Sequence, residues 1–226
     1  MEESFIATMS LTFRLAGVTT FILLCIGIPL GYFIAFNKSR FKPILEAVVS
    51  LPLVLPPSVL GFYFLMAFSP KNAFGAWLAQ VFDIRLVFSF EGLVIASVIF
   101  SLPFMVNPLQ SGFSTIPKSY IEAAWTLGKS KIATVFGVML PNMKPSLLTG
   151  AVITFSHTIG EFGVVMMMGG NIPEKTRVAS IAIYDEVEAL NYTLAHQYAF
   201  TLFAISFVIL IMVYAINKRF VKANFS

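Results

Sequence analysis

Charged positions divide this chain into long apolar intervals. A bilayer core needs roughly 20 apolar residues per helix, and five intervals qualify. The first lies between Arg14 and Lys38, the second between Glu46 and Lys71, and the third between Glu91 and Lys118. The fourth begins after Lys144 and is interrupted by Glu161 before it reaches Glu174. The fifth falls within Glu188 to Lys218, with its apolar part near Tyr198 to Ile216. Lipid offers a backbone no hydrogen bonds, so each interval is expected to be helical. Pro52, Pro56, Pro57, Pro103 and Pro108 predict kinks or breaks in the second and third spans.

Shorter patterns fill the connections. On one side of the membrane, about 69–90 and 169–196 are long enough to form surface helices. Trp77, Leu78, Val81 and Phe82 have the spacing of a helix lying in the interface. Ile181, Tyr184, Asp185 and Glu188 predict a second short helix. On the opposite side, about 110–144, Ser119 and Glu122 have the spacing of a capping box. Beyond them, Ile121, Ala124, Trp125, Gly128, Ile132, Val135, Phe136 and Met139 keep one helical stripe that ends at Leu140-Pro141. Such a stripe suits lipid headgroups or a soluble partner, and the small residues Ala123, Ala124 and Gly128 favour the partner.

Composition agrees: 58% of the 226 residues are hydrophobic, 12% are charged and the mean hydropathy is +0.85. A water-facing surface of this size needs about twice that share of charge. Lysine and arginine then orient the chain. Ten lie in the connections holding Lys38 to Lys42, Lys118 to Lys144 and Lys218 to Lys222, against four (Lys71, Arg85, Lys175 and Arg177) on the other side. Positive loops stay inside, so the amino terminus is expected outside and the carboxyl terminus in the cytoplasm. The basic residues are dispersed over three connections, which argues against nucleic acid. The first apolar run is longer than a signal-peptide core and is followed, not preceded, by its cations, so it reads as a retained helix. Cys25 is the sole cysteine and reads as a packing residue. The chain carries no detectable repeat and reads as a single domain, 1–226.

Gly128-Lys129-Ser130 imitates the end of a phosphate-binding loop, but Ala123 stands where the first glycine is required and no strand precedes it. The chain is therefore not its own ATPase. Glu122-Ala123-Ala124, then Gly128, Val138, Leu140 and Pro141, resembles the EAA loop of ABC importer permeases, with Val138 in place of the usual isoleucine. Leu51 to Tyr63, with its run of prolines, is similar to the second span of the molybdate/tungstate (ModB-type) permease family. Phe155 to Gly163, Gly169 to Pro173 and Thr176-Arg177 are similar to that family's fourth span and outer loop.

The resemblance implies an all-α membrane protein of about five transmembrane helices with the type I importer (MetI-like) fold. It implies a homodimer with the translocation path at its interface, carrying molybdate, tungstate or, as an alternative within the class, sulfate. It further implies that Glu122, Ala123, Ala124, Gly128, Leu140 and Pro141 engage two ATP-binding cassette subunits, which bind the ATP and magnesium, so that no cofactor belongs to this chain. An extracytoplasmic oxyanion-binding protein is expected on the outer loops, in a bacterial or archaeal plasma membrane.

Glu161 stands about 25 Å along the fourth span counted from Lys144, and an ionisable residue within a membrane marks function by default. His157 lies one turn earlier. The pair is expected either to line or gate the path, or, for Glu161, to make a structural hydrogen bond near the outer end. Gly27 and Gly31 form a small-xxx-small pair suited to close packing within the chain or between copies. Asn191-Tyr192-Thr193 matches a glycosylation acceptor, a motif common by chance. A self-contained secondary transporter is the rival of a different class, but inverted repeats and central charge clusters are missing. No nucleophile–base pair in the spans supports an intramembrane enzyme.

Overall fold

The computed structural model describes residues 2–223, with side chains described from 3 to 215; the side chains of the basic run Lys218, Arg219 and Lys222 lie outside that range. The described chain is helical throughout. Three helices are long and apolar enough to cross a bilayer by themselves: α1 (Glu2–Phe36), α5 (Phe90–Thr115) and α12 (Tyr192–Ala223). The second and fourth spans are instead bent pairs. α2 (Lys42–Val54) meets α3 (Pro57–Phe68) at 106°, and α9 (Lys144–Gly160) meets α10 (Gly163–Gly169) at 58°. α4 (Ala73–Phe82) and α11 (Ala179–Glu188) occupy one set of connections. The other set holds α6 (Lys118–Thr126), α7 (Lys131–Thr134) and α8 (Leu140–Asn142).

The prolines act unequally. Pro56 and Pro57 produce the sharp break expected of them. Pro57 opens α3, where a missing N–H costs nothing. Pro103 and Pro108, expected to kink the third span, lie within an uninterrupted α5. Pro103 is buried there, so packing holds the helix together across the lost hydrogen bond.

α1, α5 and α9 form the centre. α5 buries Leu93, Phe100, Met105, Leu109 and Phe113 along its length. Its first half meets Leu11 and Leu15 of α1, Val164 and Met168 of α10, and Ile181 of α11. Its second half meets Leu23 of α1, Ile121 of α6, and Met139 and Met143. The Gly27–Gly31 pair serves this seam: a Cβ at Gly27 would lie 2.8 Å from Met105 Cγ, and one at Gly31 would lie 3.0 Å from Leu109 Cβ. The small-residue face is therefore spent on packing within the chain. α4 exposes Phe74, Trp77, Val81 and Phe82, as an interfacial helix should. α11 differs from the surface helix expected, because Ala179, Ile181 and Ala182 are fully buried. Its first amide donates to Thr12 Oγ1 of α1 at 2.8 Å, so a hydroxyl from 167 positions away serves as its cap.

The two broken spans touch. α3 packs on α10, and a Cβ at Gly163 would lie 2.7 Å from Pro57 Cβ, directly across the α2–α3 break. A Cβ at Gly61 would likewise lie 2.9 Å from Met167 Cβ. Only glycine permits this approach. At the head of α5, Ser89 Oγ accepts from Gly92 N at 3.0 Å and donates to Leu86 O at 2.8 Å. The turn is so tight that a Cβ at Gly92 would overlap the Leu86 carbonyl, whereas one at Gly17 would meet nothing. Gly92→Ala should therefore lower the melting temperature of the detergent-solubilised chain by several degrees, and Gly17→Ala should leave it unchanged or slightly raised. A thermal unfolding scan of both variants checks the pair.

Candidate functional site

Between α5 and α9 the chain leaves the bundle and returns, and its exposed turn carries the EAA pattern. α6 starts at Lys118 after Pro117 and has no side-chain cap, so the capping box expected from Ser119 and Glu122 does not form. Pro117 occupies the cap position two residues too early for Ser119 to serve. The expected single stripe is also divided. Ile121 packs with Phe113, Ile116, Met139 and Met143, and Ala124 is buried as well. Tyr120, Glu122, Ala123, Trp125 and Leu127 are exposed, Leu127 to 79%.

Gly128 divides it. The Lys129 amide donates to Ala124 O at 3.0 Å and the Gly128 amide to Trp125 O at 2.9 Å, the paired bonds of a Schellman ending. Gly128 takes φ +76°, while a Cβ there would meet nothing within 4 Å. The requirement at this position is conformational, not steric. Ser130 Oγ then accepts from Ala133 N at 3.2 Å and caps α7. Gly128-Lys129-Ser130 is thus a helix stop, a linker and a helix start, which accounts for its likeness to a phosphate loop.

Leu140-Pro141 does not end the helical segment as expected. Val135–Met139 widens into a π turn, with Leu140 N bonding back to Val135 O, and the helix continues as α8. Proline lacks an amide and its ring crowds the carbonyl four residues earlier, and a widened turn absorbs both defects. Asn142 Nδ2 satisfies Val138 O at 2.7 Å. Leu140 is half-buried against the core and Pro141 is exposed.

His157 and Glu161 do not share a helical face, because α9 ends at Gly160 and Glu161 has ψ 128°. His157 points to α5: Nδ1 lies 3.0 Å from Ser101 Oγ, and its ring stacks on Phe104 at 4.0 Å between centroids. Ser101 Oγ also lies 3.3 Å from Thr158 Oγ1. Bonds of this kind within a membrane contribute about 0.6 kcal/mol each. Glu161 is 6% exposed, and its Oε1 accepts from Val164 N at 2.8 Å. Its backbone carbonyl accepts from Ser180 Oγ at 2.6 Å. The carboxylate therefore closes the open first turn of α10, the end of a helix that favours negative charge.

Sequence reasoning missed two features here. Arg177 Nη2 lies 2.8 Å from Asp185 Oδ2 and 3.1 Å from Glu186 Oε1, while Asn191 Nδ2 donates to Glu186 Oε2 at 2.8 Å. Thr176 Oγ1 joins Gly169 O and Ile172 N at 2.6 and 3.0 Å. Together they tie 169–191 into a compact loop, and no periodic pattern marks partners so placed. The second feature, the outward set of Trp125 and Leu127, left a partial signal: Leu127 is a large apolar residue off the expected stripe, whereas Trp125 was counted on it. No cluster of metal-ligating side chains occurs among the described residues.

Residues 27–222 match the family model described as "Binding-protein-dependent transport system inner membrane component". The chain is 45% identical to the molybdenum transport system permease protein ModB of Azotobacter vinelandii, covering 100% of this chain and 99% of that one. It is 31% identical to the putative molybdenum transport system permease protein YvgM of Bacillus subtilis, covering 93% of each. To the sulfate transport system permease protein CysT of Escherichia coli it is 32% identical, over 84% of this chain and 70% of that one. Its fold matches the inward-facing MetNI methionine ABC transporter at a TM-score of 0.73 and 17% identity, covering 95% and 94% of the two chains. It matches a bacterial alginate ABC transporter, in complex with its periplasmic protein, at 0.79 and 18% identity, covering 96% and 80%. With broken spans, apolar helices and a full-length match in agreement, the chain belongs to the binding-protein-dependent transport system inner membrane components, as a multi-pass permease subunit of a ModB-type ABC importer.

Proposed function

We propose that two copies of this chain form the translocation path of an importer for molybdate or tungstate, driven by two ATP-binding cassette subunits and supplied by an extracytoplasmic oxyanion-binding protein. The observation that carries the reading is the exposed apolar tip of α6, Tyr120, Trp125 and Leu127, presented beside Glu122 and Ala123 and held by the left-handed Gly128. Large side chains left uncovered on a glycine-jointed arm suit the groove of a soluble partner. ATP and magnesium belong to that partner.

Dimerisation is supported by α12, of whose span only 6% is buried within the chain, against 61% for α5. Substrate assignment leans on the 45% relative, with sulfate the second choice because the sulfate permeases are 32% identical. The path opens as a two-state rigid-body switch whose populations ATP shifts. Closure of the cassettes draws the two α6 arms together, and force enters the core through Ile121, Ala124 and Leu140. α3 and α10, in contact at Gly61 and Gly163, swing as one piece about the breaks at Pro56-Pro57 and Glu161-Phe162. Glu161 holds the second break, and His157 lines the path beside Ser101.

In proteoliposomes holding permease and cassette subunits, molybdate uptake should require ATP and the binding protein, and excess tungstate should compete better than sulfate. Uptake by the chain alone would instead mean a secondary transporter. Leu127→Asp should reduce copurification of the cassette at least tenfold while the chain stays folded and membrane-inserted. Gly128→Val, which forces a branched side chain into a left-handed turn at about 1–2 kcal/mol, should weaken coupling in the same assay. Glu161→Gln turns a charge-assisted bond into a neutral one of roughly half the strength. Uptake should fall severalfold at normal subunit stoichiometry, and wild-type uptake in that variant removes Glu161 from the gate.

A further inference from the structure

An apolar groove of about 590 Å³ runs between the inner half of α1 and the segment that follows the α6 arm. Leu24 and Ile28 form one wall, Ile132 and Phe136 the other, and Tyr32 and Lys131 are the polar groups on its lining. From Leu24 to Tyr32 the groove follows α1 for about 12 Å, at 1.5 Å per residue. Ile132 is 72% exposed and Phe136 63%, so this chain leaves the groove uncovered.

The charge at one end identifies what covers it. Lys131 is exposed and makes no ion pair among the described residues. Lys129 precedes it on the same exposed linker. Four residues beyond Tyr32, α1 ends and is followed by the exposed Lys38 and Arg40. An apolar trough in the bilayer, opening onto unneutralised cations, matches an acyl chain joined to a negative headgroup. A protein helix in the same trough would need an acidic residue at its end to match the cations. Basic pockets of this kind at the cytoplasmic face suit anionic phospholipids.

We infer that this groove binds an anionic glycerophospholipid of the inner leaflet, with one acyl chain between α1 and 132–136 and its phosphate at Lys131. The inference rests on the reading that the α6 arm faces the cytoplasm. It gives the arm a second contact, since the lipid braces the residues immediately after the Gly128 turn against α1. Occupancy then biases the angle at which the arm meets its cassette, and the importer's activity follows the anionic lipid content of its membrane.

The test uses the full-length chain purified in mild detergent, titrated with phosphatidylglycerol or phosphatidylcholine of matched acyl chains and read by native mass spectrometry. Phosphatidylglycerol should be retained at least fivefold over phosphatidylcholine. Lys131→Glu should reduce that preference below twofold, Ile132→Asp should abolish retention of both lipids at the site, and Lys71→Glu, at the opposite face, should change nothing. Equal retention of the two lipids by the wild-type chain overturns the inference, as does an unaltered preference in Lys131→Glu with the fold intact. Retention that is lost whenever two copies associate means that the groove is a dimer contact, and this too overturns it. Sidedness is tested separately. If a Lys131→Cys variant reacts with an impermeant maleimide added outside intact cells, the cytoplasmic placement fails, whatever lipid the micelles hold.

Discussion

A helix broken at membrane depth exposes amide and carbonyl groups that lipid cannot hydrogen-bond, and this chain contains two such breaks. Their solutions differ. At Pro56-Pro57 two of the orphan donors do not exist, because proline has none, and the next amides turn back to Pro56 O. At Glu161-Phe162 the donors remain, and a buried carboxylate accepts one while Ser180 satisfies the Glu161 carbonyl. Both breaks are further covered by protein, since Gly163 lies against Pro57. Each break therefore shelters the other. The long helices α1 and α5 supply the frame against which this paired defect is tolerated.

The same economy of backbone bonds governs the α6 arm. Its tip must leave the bundle, turn sharply and return, with every helix end answered. The Schellman bonds at Gly128, the Ser130 hydroxyl, the π turn and the Asn142 amide meet that need locally. Ile121 and Met139 anchor the arm to the end of α5 at Leu109 and Phe113. An arm closed by its own hydrogen bonds and rooted in a packed core is stiff, because such packing has low compressibility.

Charge is sorted by depth. Arg177, Asp185, Glu186 and Asn191 hold one another in the 169–191 loop. Within the spans, Ser101, His157, Thr158 and Glu161 each have a bonded partner, whereas the buried hydroxyls of Thr19, Thr20, Ser97 and Thr154 have none among the described residues. Lys129 and Lys131, beside the α6 arm, make no ion pair among the described residues.

Much of this was legible in the sequence, because hydrophobic length and lysine placement act locally and additively. Apolar runs between charges defined the spans, tandem proline located the first break, and the EAA spacing marked the arm. What the linear pattern misjudged were features that depend on a distant partner. Pro103 and Pro108 leave α5 intact because packing around the helix holds it, which no residue within the span discloses. The Ser119–Glu122 cap failed because Pro117 takes the cap position two residues earlier. Glu161 and His157 fell on one face of an ideal helix, but the backbone turns between them. It does so because α10 is drawn against α3, and that contact exists only where Gly61 and Gly163 meet in space. Likewise the glycine pair in α1 states that something approaches closely, and only the tertiary structure decides that it is Met105 and Leu109 of the same chain. Local sequence thus determined which segments enter lipid; where they break, and what closes each break, was decided by contacts between residues far apart in the chain.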